Sequence, residues 1–133
     1  MTRDPAALRY LASHEWAESP DSANGGVVAI GISSFAVEQL TDLVYLALPT
    51  VGREVQRGDE VGEVESVKAV STIYSPVSGQ IVEVNSQLAD QLDHLKDDPY
   101  GKGWLVKIRM SDPKEWDGLL ESGQYQAQCD QSH

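Results

Sequence analysis

The chain predicts a mainly β fold, a flattened barrel or sandwich with a few short helices at its periphery, one of them near the C-terminus. Three observations carry this expectation. The apolar segments are short, and several alternate with period two. Turn formers, chiefly Gly, Pro, Asn and Asp, punctuate them at close spacing. No apolar run approaches the roughly 18 residues that span a bilayer. With 133 residues, 41% of them apolar and 23% charged, the chain is expected to form a single domain over residues 1–133.

The elements follow in order. Residues Ala6 to Ala12 form a short mixed segment, and the loop Glu18 to Gly26 is dense in turn formers. Val28, Ile30 and Ile32 alternate along a strand. Ser33 and Ser34 can cap a short helix over Phe35 to Leu40. The apolar run Leu43 to Leu48 does not alternate, which predicts a strand buried on both faces. Ile81, Val82 and Val84 form a strand, and Leu88, Leu92 and Leu95 predict a helix over Ser86 to Leu95. Val106, Ile108 and Met110 alternate with Lys107 and Arg109 in a half-buried strand. Ser111 or Asp112, with Pro113, starts a C-terminal helix whose face carries Trp116, Leu119 and Leu120. From about Gln124 the sequence is polar and predicts a fraying tail, with Cys129 exposed in it.

One hairpin stands apart. Residues 51–62 and 75–84 read as short strands broken by Gly and Pro, so the stretch 65–71 between them falls at an exposed tip with Lys68 in its middle. A bare lysine there does no chemistry, because its amine titrates near 10.4 and stays charged at neutral pH. It makes sense as an attachment point.

Composition excludes several other functions. A formal net charge of −11 repels nucleic acid and anionic membrane surfaces, both of which require a basic footprint. One cysteine, Cys129, permits no disulfide within the chain, and His14, His94 and His133 have no metal-ligand spacing. No nucleophile lies beside a base and no Gly-rich phosphate loop is present, so no catalytic residue is assigned.

The region Val51 to Val84 resembles the lipoyl/biotinyl carrier family: a Gly-Asp turn, a lysine at a hairpin tip, then Pro76-Val77-Ser78-Gly79. Further stretches resemble one branch of it. These are Tyr10-Leu11-Ala12-Ser13-His14-Glu15-Trp16, Gly31-Ile32-Ser33-Ser34-Phe35 with Ala36 and Leu40, Glu65-Ser66-Val67-Lys68-Ala69, and Asp98-Pro99-Tyr100-Gly101 with Gly103-Trp104. Together they run in order from about Tyr10 to Tyr125, and they are similar to the glycine cleavage system H proteins.

That resemblance implies a lipoyl-domain-like barrel-sandwich hybrid and lipoate in amide linkage to Lys68. Glu65, Ser66, Val67 and Ala69 would be read by the lipoate ligase or octanoyltransferase. The partners implied are a decarboxylase that uses pyridoxal phosphate, a tetrahydrofolate-dependent aminomethyltransferase and a dihydrolipoamide dehydrogenase. The lipoyl arm would carry an aminomethyl group from the first to the second and electrons to the third. Ser13 and Glu15 match positions that contact the loaded, cationic arm. The implied protein is a monomeric, non-catalytic carrier in the cytoplasm, or in the mitochondrial matrix if a leader has been removed.

The chain departs from the family at Thr72, where the family often carries an acid; a hydroxyl can still join the arm-docking site but offers no charge. Leu92 and Lys96 replace residues of a loop and favour a longer helix. Two alternatives share the hairpin: an H-like protein that relays octanoyl or lipoyl groups in lipoate biosynthesis, and a biotin carrier. Biotin carriers place Met on both sides of the lysine, where this chain has Val67 and Ala69.

Overall fold

The computed structural model describes residues 4–19, 26–40 and 42–131. The polar loop expected between Glu18 and Gly26 falls largely outside these residues, as does His133.

Among the described residues, ten strands form two sheets. In chain order they are β1 (Arg9–Tyr10), β2 (Glu15–Ala17), β3 (Val27–Ile32), β4 (Leu43–Ala47), β5 (Glu54–Val55), β6 (Glu60–Ser66), β7 (Val70–Tyr74), β8 (Gly79–Val84), β9 (Val106–Met110) and β10 (Leu120–Glu121). The larger sheet has the order β10-β1-β2-β3-β9-β8-β5, and the smaller one β4-β6-β7. All pairings are antiparallel. The helices are α1 (Ser34–Leu40), α2 (Asp93–Asp97) and α3 (Ser122–Gln131). The result is a mostly β, flattened barrel-sandwich with three short helices.

The main core lies between the sheets, where Val28, Ile30, Ile73, Ile81 and Ile108 are at most 2% exposed. Each such side chain contributes about 1.5–3 kcal/mol by leaving water. A second cluster, Tyr10, Trp16, Ala29, Tyr125 and Cys129, sits on the other side of the larger sheet. Strand β3 is therefore buried on both faces, with small residues toward the second cluster. Gly31 pairs with Trp16 across the strands, and a Cβ there would meet the indole at 2.5 Å. Gly58 has φ +93 in the turn before β6, where its amide donates to the Ser75 carbonyl at 2.8 Å.

Several expectations need correction. The run Leu43–Leu48 is not buried on both faces. It forms the edge strand β4 with a bulge between Leu43 and Tyr45, leaving Val44 and Tyr45 more than half exposed while Leu46 reaches the core. The helix expected over Ser86–Leu95 is broken into a 3-10 turn, Ser86–Asp90, and α2. The Asn85 side-chain Nδ2 donates to the carbonyls of Lys102 and Trp104, pinning the first turn, while Leu88 and Leu95 enter the core from separate turns. The longer helix expected from Leu92 and Lys96 is thus absent.

The C-terminal helix lies later than expected. Residues Pro113–Gly118 make only a 3-10 turn, capped by the Asp112 carboxylate accepting from the Lys114 amide at 3.1 Å. The polar stretch beyond Gln124, expected to fray, is α3. Tyr125 and Cys129, one helical turn apart, form a narrow apolar stripe on it that docks against Tyr10. Cys129 is accordingly buried at 2% exposure, not an exposed thiol.

Candidate functional site

Lys68 occupies the turn between β6 and β7, and residues 67 to 70 are all exposed. Its root is held rigidly. The Ser66 amide donates to the Ala69 carbonyl at 2.8 Å, and the Ser66 hydroxyl accepts from the amides of Lys68 at 3.3 Å and Ala69 at 3.1 Å. The Val67 amide donates to the Asp42 carbonyl at 3.0 Å, tying the tip to the start of β4. Ser66 is therefore buried and builds the turn, while Val67 at 69% exposure and Ala69 present an open face. Glu65 is half-buried, paired with Tyr45 on one side and Val70 on the other.

The other predicted residues converge elsewhere. Ser13, Glu15 and Thr72 all line one cleft of ≈ 230 Å³ in the seam between β2, α1 and β7. Ser71 lies beside Thr72, and Phe35 and Gln39 of α1 form the facing wall. Thr72 stands opposite Glu63 in the β6–β7 register. From residue 68 to residue 72 an extended strand covers about 13 Å. A lysine side chain reaches only about 6 Å from its Cα. The Lys68 amine itself falls short of the cleft, and an acyl extension is what would bring a reactive end there.

Glu15 is the unusual member. It is 1% exposed, at the start of β2, and both carboxylate oxygens are engaged. One accepts from the Ser13 hydroxyl at 2.5 Å and the other from the Tyr74 amide at 2.7 Å, so the carboxylate bridges the two sheets at the edge of β7. Burial pushes the Glu15 carboxyl above its usual range, against the hydrogen bonds from Ser13 and Tyr74, which pull it down. A carboxylate kept in a low-dielectric cleft wall can hold a cation strongly, provided the cation arrives with few waters. Among the described residues no three His, Cys, Asp or Glu side chains gather as metal ligands.

Two residues of the same region carried no assigned role in the sequence reading, His14 and Tyr125, while Ser33 was expected as a helix cap and does accept from the Ala36 amide at 3.3 Å. His14 also lines the cleft and has φ +87. Its place in the Ser13-His14-Glu15-Trp16 motif was the available signal. Tyr125 gave none, lying in a stretch whose polarity masked its docked face.

Residues 8–132 match the family model described as "Glycine cleavage H-protein". The chain belongs to the glycine cleavage H-protein family. It is 48% identical over 132 residues to the "Glycine cleavage system H protein" of Rhodopirellula baltica, with 99% of each chain covered. It is 52% identical over 130 residues to the protein of the same description from Alcanivorax borkumensis, covering 98% of each. The crystal structure of a glycine cleavage system H protein from Mycobacterium marinum superposes with a TM-score of 0.84 at 43% identity, covering 94% of this chain and 98% of that one. Family membership makes the role of this H protein that of a lipoyl carrier in the glycine cleavage system. It also accounts for the fold, an H-protein barrel-sandwich with its helices outside.

Proposed function

We propose that Lys68 is the lipoyl attachment site and that the Ser13–Glu15–Thr72 cleft shelters the loaded end of the arm. The supporting observation is the pairing of an exposed amine on a rigid tip with a buried carboxylate in a cleft within an acylated lysine's reach. The residues fit the group. The Lys68 root is immobilised by Ser66, its flanks leave room for a modifying enzyme, and Glu15 complements a cationic terminus. When bound, the dithiolane supplies the redox and group-transfer chemistry that no side chain of this chain offers.

Each residue then has a limited task. Amide formation at Nζ removes the positive charge of Lys68, so the arm is not drawn to the many surface carboxylates. Glu15 holds the charged end, Ser13 orients the Glu15 carboxylate, and the walls formed by Phe35 and Gln39 reduce the access of water. Thr72 supplies a hydroxyl where a second carboxylate would face Glu63 across the ladder. Glu65, Val67 and Ala69 form the face read by the ligase or octanoyltransferase, with Ser66 setting its shape.

The whole chain would act as one monomeric, non-catalytic domain in the cytoplasm, a reading supported by the bacterial origin of the two relatives above and the single buried thiol. Its partners would be the pyridoxal phosphate decarboxylase, the aminomethyltransferase and the dihydrolipoamide dehydrogenase. Tethering the arm to a docked carrier raises its local concentration at each of their active sites. Glycine–bicarbonate exchange by the decarboxylase separates this reading from an acyl relay in lipoate biosynthesis. The lipoylated protein should support exchange and Lys68→Arg should not; absence of exchange with fully lipoylated protein contradicts the reading.

A further inference from the structure

We infer that Tyr125 and His14 are positioning residues for the cleft, and that α3 acts through them as a clamp joining its two walls. The inference rests on the sheltering role proposed above.

The Tyr125 hydroxyl sits at a junction. It lies 2.6 Å from His14 Nδ1 and 2.5 Å from Ser33 Oγ. His14 stands between Ser13 and Glu15, the two residues that present polar groups to the cleft. Ser33 precedes α1, and its Oγ accepts from the Ala36 amide at 3.3 Å, capping the helix that forms the opposite wall. One hydroxyl from the C-terminal helix therefore joins the β2 turn to the α1 N-terminus. The Tyr125 ring is fixed in turn by stacking on Tyr10, with centroids 4.3 Å apart and planes within 5°.

Proton bookkeeping gives the network a direction. The arrangement that uses every proton has Ser33 Oγ, which accepts from the Ala36 amide, donating its own proton to Tyr125, and the single Tyr125 proton donated to His14 Nδ1. This requires a neutral His14 protonated at Nε2, consistent with burial, which lowers its basicity. Chains of this kind, all aligned donor to acceptor, reinforce one another.

The backbone explains why a clamp is needed. His14 has φ +87, a conformation that L side chains seldom adopt, although His and Asn adopt it more readily than most. That conformation turns the chain sharply between the exposed Ser13 and the buried Glu15, letting both reach the same cleft. The turn is closed by the His14 amide donating to the Leu11 carbonyl at 3.0 Å and the Ser33 amide donating to the His14 carbonyl at 2.9 Å. The His14 ring lies 5.0 Å from that of Phe35, so it also meets the α1 wall directly.

The test uses the full chain in two states. In unmodified protein, imidazole nitrogen NMR should show His14 neutral with Nδ1 as acceptor, and Tyr125→Phe should abolish that signature while keeping the ring stack. In lipoylated protein loaded by the decarboxylase, the rate at which water releases formaldehyde and ammonia from the arm is followed. Tyr125→Phe and His14→Gly should each speed this loss at least roughly fivefold, the effect of the Tyr125–His14 hydrogen bond that both remove, with Lys68 lipoylated as in the unsubstituted protein. His14→Asn places an amide oxygen near the Nδ1 position, tolerates the backbone, and should restore the slow rate.

The inference is overturned if Tyr125→Phe lowers thermal stability but leaves the loss rate unchanged, or if His14→Asn is as fast as His14→Gly. A different failure, in which the loaded arm of the unsubstituted protein loses its group no more slowly than a free lipoyl model compound, contradicts the sheltering role and the inference with it.

Discussion

Glu15→Gln is the substitution that best separates function from stability here. The ionised carboxylate is 1% exposed, and its desolvation outweighs the hydrogen bonds from Ser13 and Tyr74, as the direction of its shift shows. A glutamine is nearly isosteric. Its Oε1 can accept from the Tyr74 amide and its Nε2 can donate to the Ser13 hydroxyl, so neither partner is orphaned. Folding stability at neutral pH should therefore change by less than about 1 kcal/mol in either direction.

The pH dependence follows from the sign of the shift. The folded-state pKa lies above the unfolded value near 4.5, so the folded chain binds the Glu15 proton more tightly. This group's favourable contribution is full below the unfolded value and is lost as pH rises through the raised one. Glu15→Gln removes that slope from the window just above pH 4.5.

Function should respond differently. Losing a charged partner for a cationic group costs about 2 kcal/mol, roughly thirtyfold in the lifetime of the loaded arm. Chemical denaturation across pH, run beside formaldehyde release from the loaded protein, measures both. A stability loss above about 3 kcal/mol, with the loaded lifetime unchanged, would refute the assignment of Glu15 to the arm and make it a structural bridge only.

Other outcomes follow from the same geometry. Gly31→Ala drives a methyl into Trp16 at 2.5 Å and should cost about 1–3 kcal/mol by overpacking, read as a lower midpoint in urea. Thr72→Asp sets a second carboxylate opposite Glu63 and should lower stability by about 0.5 kcal/mol while lengthening the loaded lifetime; an unchanged lifetime would remove residue 72 from the docking site. Cys129, at 2% exposure, should react with a thiol reagent only as fast as α3 opens, and the rate should rise with added urea.

How far the sequence reveals this protein depends on the range of the interactions involved. The hairpin around Lys68 was legible because its signals are local: glycines and prolines bounding short strands, and a motif contiguous in the chain. Ser13, Glu15 and Thr72 could be named from resemblance, but their convergence on one cleft depends on β2 and β7 meeting at a sheet seam. The errors share that cause. Leu43–Leu48 carries the apolar run of a buried strand, yet β4 sits at a sheet edge and turns Val44 and Tyr45 outward. Gln124 to Gln131 has the polarity of a tail, yet two residues one turn apart, Tyr125 and Cys129, suffice to dock it when Tyr10 and Trp16 offer an apolar bed. Segment averages conceal a stripe that narrow.

The most direct measurement is the mass of the peptide containing Lys68, from protein produced in cells supplied with lipoate. A single lipoyl addition on Lys68, absent from Lys68→Arg, is the predicted result. A biotinyl addition, or a lipoyl group on another lysine with Lys68 unmodified, would contradict it.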